Sequence, residues 1–272
     1  MTVLVSKDSQ AAGARAAASR VCKVHEALAD YLEPGLTLAQ IDAFVGETLQ
    51  SLDSRSCFIR YRIPGQRPFP SHSCLSINDC VVHGTHLDHE APLVEGDVLS
   101  IDIGVLHRGW IGDAAWTYGI VDVSDSARKL MAVGIDSLRL GIDAMQPGRP
   151  LIDWARAVQT CVEDEAGFSL VQGLGGHGYG KQLHTPPFIS NVVPTRPNEW
   201  PDAFNTFKPG MLLAVEPMLT AGGHKVNSIP GSWPITTVDG SLAVHYEADV
   251  LITPDGHEVL TAAMFDLPDL VS

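Results

Sequence analysis

The sequence predicts an α+β chain of two related halves, each a pair of helices followed by a pair of strands, facing one another across a central antiparallel sheet. Two internal offsets carry this prediction. Pro34-Gly-Leu-Thr-Leu-Ala-Gln-Ile-Asp-Ala-Phe-Val45 and Pro147-Gly-Arg-Pro-Leu-Ile-Asp-Trp-Ala-Arg-Ala-Val158 share their Pro-Gly, a following Leu and the closing Val at an offset of 113 residues. Gly96-x5-Asp102 and Gly210-x5-Glu216, each spanning an apolar strand, repeat at an offset of 114. A duplicated unit of this kind meets its copy about a pseudo-twofold axis and brings its acidic strands to one seam. Residues 1–272 then form a single domain, with half-repeats over about residues 6–123 and 124–262.

Each element has a local reason. From Ser6 to Leu32 the chain is Ala-rich, with Val21, Val24, Leu28 and Leu32 on one helical face, and Pro34-Gly35 ends the run. Thr37 and Gln40 form a capping-box pattern ahead of a second apolar stripe, Leu38 to Leu52. Ser73 to Asn78 reads as a short strand, followed by Val81-Val82-His83-Gly84. Val98 to Leu106 is a longer strand, with turn residues at His107-Arg108-Gly109. A two-residue loop centred on His107 and Arg108 would set Asp102 directly across the ladder from Asp113. In the second half Ser124 caps a helix to about Met145, and Pro150 opens another through Glu165. Met211 to Pro217 reads as a strand carrying Glu216, and Tyr246 to Thr253 as one with Glu247 at its start. Glu258 to Leu260 is the last strand.

Composition narrows the class. Hydrophobic residues make up 45% of the 272 and charged residues 18%, the balance of a globular chain with a sizeable core. The net charge of -14 repels nucleic acid and anionic membranes and attracts divalent cations. The start, Met-Thr-Val-Leu-Val-Ser-Lys-Asp, lacks a basic then apolar leader, and no apolar run approaches the roughly 18 residues of a membrane span. Five cysteines without a C-x-x-C pair point to a reducing cytoplasm.

The chemistry lies in Asp102, Asp113, His177, Glu216 and Glu247. Any one of these carboxylates alone reads as an ordinary strand-edge charge. Two that are desolvated side by side repel, and persist only with a shared proton or an intervening cation. Five oxygen and nitrogen donors without a thiolate suit two hard or borderline divalent ions, Mn, Fe(II), Co or Zn. Such a pair activates water for attack on a carbonyl. Gly173-Leu-Gly-Gly-His177-Gly-Tyr-Gly180 lacks the strand and helix context of a nucleotide loop; its glycines let backbone crowd around His177. His83 and His184 are placed to donate hydrogen bonds to a substrate or its oxyanion. His72, His86, His89, His107, His224, His245 and His257 read as surface or loop residues.

The ordered set Cys74-x-Ser-Ile-Asn78, His83-Gly84, Gly96-Asp97-x4-Asp102, Asp113, Gly176-His177-Gly178-x-Gly180, His184, Glu216-Pro217-Met218 and Glu247 closely resembles type I methionine aminopeptidase, over nearly the whole chain. The resemblance implies a pita-bread fold and a cytoplasmic metalloprotease that removes the initiator methionine from peptides and nascent polypeptides when the next residue is small. It implies metal ligation by Asp102, by bridging Asp113 and Glu247, and by His177 with Glu216, the last also the general base. His83 would sit near the scissile amide and His184 would stabilise the tetrahedral intermediate, while Cys74, Phe69 and Trp233 would hold the methionine side chain. A monomer with transient ribosome contact, no direct nucleic-acid binding and no membrane association is expected. The chain departs from the pattern at Ala248-Asp249 after the last ligand, at Leu183-His184-Thr185-Pro186-Pro187 around the second histidine, and at Gln66 in the pocket loop. The alternatives are a proline-specific aminopeptidase or prolidase, which carries a large extra N-terminal domain and a Ser-Asp-x-Thr-Arg context that this chain lacks, and a non-catalytic pita-bread binding protein, which generally loses ligands.

Overall fold

The computed structural model describes residues 4–272. Helices α1 (Asp8–Tyr31) and α2 (Leu38–Ser51) come first. Thr37 caps α2 as its pattern predicts, its Oγ1 accepting from the Gln40 N–H while Gln40 Oε1 accepts from the Thr37 N–H at 2.9 Å. Strands β1 (Cys74–Ile77), β2 (Cys80–Val82), β3 (Val98–His107) and β4 (Trp110–Ile120) follow. The second half opens with α3 (Asp125–Asp143) and α4 (Ile152–Gln159), the latter running on as a π-helical turn over Thr160–Glu165. Then come β5 (Gly175–Gly178), β6 (Thr185–Ser190), β7 (Leu212–Val215), β8 (Met218–Thr220), β9 (Ala243–His245), β10 (Ala248–Thr253) and β11 (Gly256–Val259).

Two five-stranded sheets dominate. In the first, β3 pairs antiparallel with β4 on one side and with Arg55–Ser56 and β1 on the other, and Leu270–Val271 joins β4 in parallel. In the second, the order is β11-β10-β7-β5-β6, antiparallel throughout. The sheets meet where β10 begins: the Glu247 N–H donates to the Ala115 carbonyl of β4 at 2.9 Å, and the Asp113 N–H donates to Asp249 Oδ2 at 2.9 Å. No helix among the described residues is long and apolar enough to cross a membrane.

The β3–β4 turn corrects one expectation. The ladder closes at His107↔Trp110, so the loop is Arg108-Gly109, not His107-Arg108. Both loop residues have positive φ, 50° and 79°, as a type I′ hairpin requires, and glycine is the residue that takes this conformation without cost. Asp102 therefore pairs with Ala115 and Asp113 with Gly104. The two carboxylates share a face on the diagonal rather than standing directly opposite, which widens their separation enough for an ion between them. A second difference lies at Glu216-Pro217: the strand expected over Met211 to Pro217 spans Leu212–Val215 and stops before Glu216, and proline has no N–H to donate to the ladder.

His25 on α1 is wholly buried against β4. Its Nε2 lies 3.3 Å from the Ala114 carbonyl, which can only accept, and its Nδ1 lies 3.0 Å from the Tyr118 hydroxyl. Burial pulls its pKa down to about 3, so the folded protein holds a neutral ring that the unfolded chain protonates near pH 6.5. Stability from this site is full above pH 6.5 and is lost as pH falls towards 3. Urea unfolding of His25→Leu at pH 6 and pH 4 should show a smaller loss of stability on acidification than the parent, by up to one proton's worth of slope.

Candidate metal centre

Each sequence-predicted site residue reaches one cavity of about 280 Å³: Phe69, Cys74, His83, Asp102, Asp113, His177, His184, Glu216, Trp233 and Glu247 all line it. The backbone explains the convergence. Asp102 projects from the middle of β3 beside its ladder partner Cys74, and Asp113 from β4. His177 lies on β5 between β6 and β7, opposite Phe188 and Ala214. At Gly176 a Cβ would meet the Ala214 carbonyl oxygen at 2.3 Å, so the crowding expected around His177 is real. Glu216 occupies the break after β7, its carbonyl accepting from Asn191 Nδ2 at 2.8 Å, and Glu247 leads into β10.

Asp113, His177 and Glu247 each offer a ligand atom within 4.8 Å of the others, the spacing of a common cation. His177 Nε2 stands 3.9 Å from Asp113 Oδ2 and 3.7 Å from Glu216 Oε1. Asp102 and Glu216 fall outside the tightest group while lining the same cavity. Burial pushes Asp113 and Glu247 well above the ordinary carboxylate range, Asp102 up to about 7 and Glu216 up to about 8, and Asp102, Glu216 and Asp249 raise Asp113 further. Asp102 Oδ1 and Asp113 Oδ1 are buried without a hydrogen-bond partner. Unpaired buried carboxylate oxygens, nitrogen and oxygen donors only, and mutual repulsion are what a divalent cation satisfies; the residues present fit one.

One end of the cavity is apolar. Phe69 packs edge-on against Phe58 and Trp233, with ring centroids 6.2 and 5.1 Å apart, and Trp233 Nε1 donates to the Arg67 carbonyl at 2.9 Å. Tyr61, Ile63 and Leu183 complete this wall. The Tyr61 hydroxyl lies 2.8 Å from His184 Nδ1; donating there, it leaves the proton of the neutral ring on Nε2. His83 takes a left-handed backbone conformation, φ 61°, and burial followed by the nearby His245 and His184 lowers its pKa to about 4. A second, wider cavity of about 570 Å³ shares His83, Asp102, His177, His184 and Glu216 with the first and opens outward past Gly173 and Phe188.

Two histidines read as surface or loop residues are buried. His107 is a ladder residue of β3, its Nδ1 3.1 Å from the Ser54 hydroxyl, and His245 faces Glu216. Asp249 is likewise buried, behind Asp113. The spacing 245, 247, 249 is the alternation of an extended chain and marks both residues as neighbours of Glu247. Tyr61 left no comparable signal, because its loop is irregular.

The profile of metallopeptidase family M24 matches residues 12–254. The chain belongs to this family of pita-bread metallopeptidases. Among its relatives, methionine aminopeptidase 1 of Bacillus subtilis (strain 168) is 36% identical over 247 residues, covering 91% of this chain and 94% of the relative. Methionine aminopeptidase 1 of Mycobacterium tuberculosis is 36% identical over 260 residues, 93% of this chain and 91% of the relative. The crystal structure of methionine aminopeptidase from Rickettsia prowazekii superposes with a TM-score of 0.87 at 29% identity, covering 96% of this chain and all of that one, 100%. An Xaa-Pro dipeptidase from Bacillus anthracis shares the fold alone, with a TM-score of 0.71 at 18% identity, and this chain spans 62% of it.

Because the buried carboxylates hold protons more tightly in the folded than in the unfolded state, their contribution is favourable at low pH and is lost as pH rises through about 7 to 8. A cation that holds them ionised cancels that loss. The rise in Tm that Mn(II) gives chelator-stripped protein should therefore be small at pH 5 and large at pH 8; an increment independent of pH would mean the carboxylates are not the ligands.

Proposed function

We propose that this chain is a methionine aminopeptidase, hydrolysing the first peptide bond of peptides and nascent polypeptides that begin with methionine followed by a small residue. The observation that carries the reading is that the acidic and imidazole groups share one cavity with an aromatic-walled apolar end, and that His83, Asp102, His177, His184 and Glu216 also line a second, wider groove. One side chain enters the pocket; the rest of the peptide leaves through the groove. A cavity of about 280 Å³ walled by Phe58, Phe69, Cys74 and Trp233 suits a flexible thioether, which gains favourable sulfur contacts with ring edges.

Asp102, Asp113, His177, Glu216 and Glu247 would hold two divalent ions drawn from Co, Fe(II), Mn and Zn, with Asp113 and Glu247 shared. When bound, the ions supply Lewis acidity and bring a water to nucleophilic strength near neutral pH. Glu216 is positioned to take the proton of the attacking water, since its Oε1 faces the centre beside His177. His83, common to both cavities, would sit near the scissile amide, a role its position between them supports. His184, oriented by Tyr61, can donate from Nε2 to the oxygen that gains charge in the tetrahedral intermediate. The free state of all five cysteines suits a cytoplasmic setting, where we place a monomer acting on chain starts as they leave the ribosome. Coverage near the full length of the methionine-specific relatives favours this reading over the proline-specific one, whose structures match in fold alone and extend well beyond this chain.

A panel of Met-Ala-x, Met-Lys-x, Leu-Ala-x and x-Pro peptides with anaerobic Fe(II), Mn(II) and Co(II) should show release from Met-Ala-x only. Cleavage confined to x-Pro termini would replace the reading with the proline-specific one, and no cleavage at all would favour a binding protein. Separately, His184→Ala should lower kcat by roughly 10²–10³-fold with metal content unchanged, as removal of an oxyanion donor does. Asp113→Ala should lose metal and turnover together, measured by atomic absorption alongside the assay; metal loss in His184→Ala would make that residue a ligand instead.

A further inference from the structure

The side chain of His245 is 3% exposed, and its place is fixed from both sides of the backbone. Its N–H donates to Ser100 Oγ at 3.2 Å and Thr117 Oγ1 at 3.1 Å, and its carbonyl accepts from Thr117 Oγ1 at 2.8 Å. These two hydroxyls, on β3 and β4, are themselves 2.8 Å apart. The strand end that carries His245 is therefore pinned to the same hairpin that carries Asp102 and Asp113.

From that position Nε2 reaches 3.3 Å from Glu216 Oε2. It is buried and finds no aligned hydrogen-bond partner among the described residues, and Glu216 is the one carboxylate within 4.0 Å of it among them. On its other oxygen, Oε1, Glu216 faces His177 Nε2 at 3.7 Å. The carboxylate is thus bracketed by two imidazoles, one at each oxygen. With Glu216 ionised, as a bound cation would hold it, the tautomer follows from electrostatics: a bare Nε2 would turn its lone pair on a carboxylate oxygen, whereas Nε2–H turns a donor on it.

We propose that His245 is a positioning residue for Glu216. Its Nε2–H, held against Oε2, sets the rotation of the carboxylate so that Oε1 is the oxygen presented to the metal centre. Glu216 sits in the break between β7 and β8, next to Pro217, where no ladder hydrogen bond restrains its side chain. Partners of this kind, one step behind the ligands, typically tune metal affinity 10- to 100-fold. The inference rests on the assignment of Glu216 as a ligand and base under the proposed function.

The test compares His245→Gln, which keeps an N–H within reach of Oε2, with His245→Leu, which fills similar space without a donor. Calorimetric titration of chelator-stripped protein with Mn(II) reads the centre without any substrate, and kcat and KM on a Met-Ala-Ser peptide read the reaction at saturating Mn(II). Expected for His245→Leu is a 10- to 100-fold weaker affinity for one ion, a kcat lower by a similar factor and a KM within about twofold. His245→Gln should stay within about threefold of the parent in every quantity. Parent-like Mn(II) affinity in His245→Leu would overturn the proposal. So would equal losses in both variants, which would mark His245 as a packing residue or a direct ligand. If His245→Leu does not fold, His245→Met, also without a donor, takes its place. Should the chain cleave no methionyl peptide at all, the Mn(II) titration still decides the question, so the two readings fail separately.

Discussion

The structure depends on holding like charges together where water cannot screen them. Asp102, Asp113, Glu216 and Glu247 line one cavity, and a fifth carboxylate, Asp249, stands directly behind Asp113. Two unit charges 4 Å apart repel by about 4 kcal/mol at an effective dielectric of 20. Several such pairs would exceed the margin of stability of an ordinary domain, typically 5–15 kcal/mol. The framework escapes by proton uptake or by cation binding, and at neutral pH only the second leaves the carboxylates ionised. Metal dependence is in this sense a condition that the fold imposes.

The rigidity needed to sustain this arrangement comes from the seam between the two sheets. Hydrogen bonds from Glu247 to Ala115 and from Asp113 to Asp249 cross from one sheet to the other within a few residues of the ligands. The hydroxyls of Ser100 and Thr117 extend the link to His245. Tyr246, buried between Glu247 and His245, packs edge-on against Trp116 of β4 at 5.0 Å. The candidate ligands from both halves therefore stand on mutually braced strands or at the ends of such strands, the placement that preorganised centres require.

The same seam divides the site by polarity. Aromatic rings close one end, and the carboxylates and imidazoles line the rest of the same cavity. Burial lowers His83 to about 4 and His177 to about 3, so both rings are neutral near pH 7 and add no charge to the cavity.

How much of this was legible beforehand divides along a physical line. Helix starts and stops, the Thr37 cap, the apolar strands and the acidic and imidazole groups were readable because each depends on short-range pattern or on residue chemistry, whereas Phe69, Cys74 and Trp233 came only from the family resemblance. The β3–β4 turn was expected one residue too early, which shifts the ladder by two so that Asp102 faces Ala115, since two candidate turns overlapped and the backbone φ values favour Arg108-Gly109. His245, Asp249 and Tyr61 escaped notice because their partners, Glu216, Asp113 and His184, lie in other segments of the chain, up to 136 residues away. Sequence alone determined which side chains could bear the chemistry, because donor type and periodicity are local properties. Tertiary structure alone decided which of them meet, because distance between remote strands is set by packing of the whole domain.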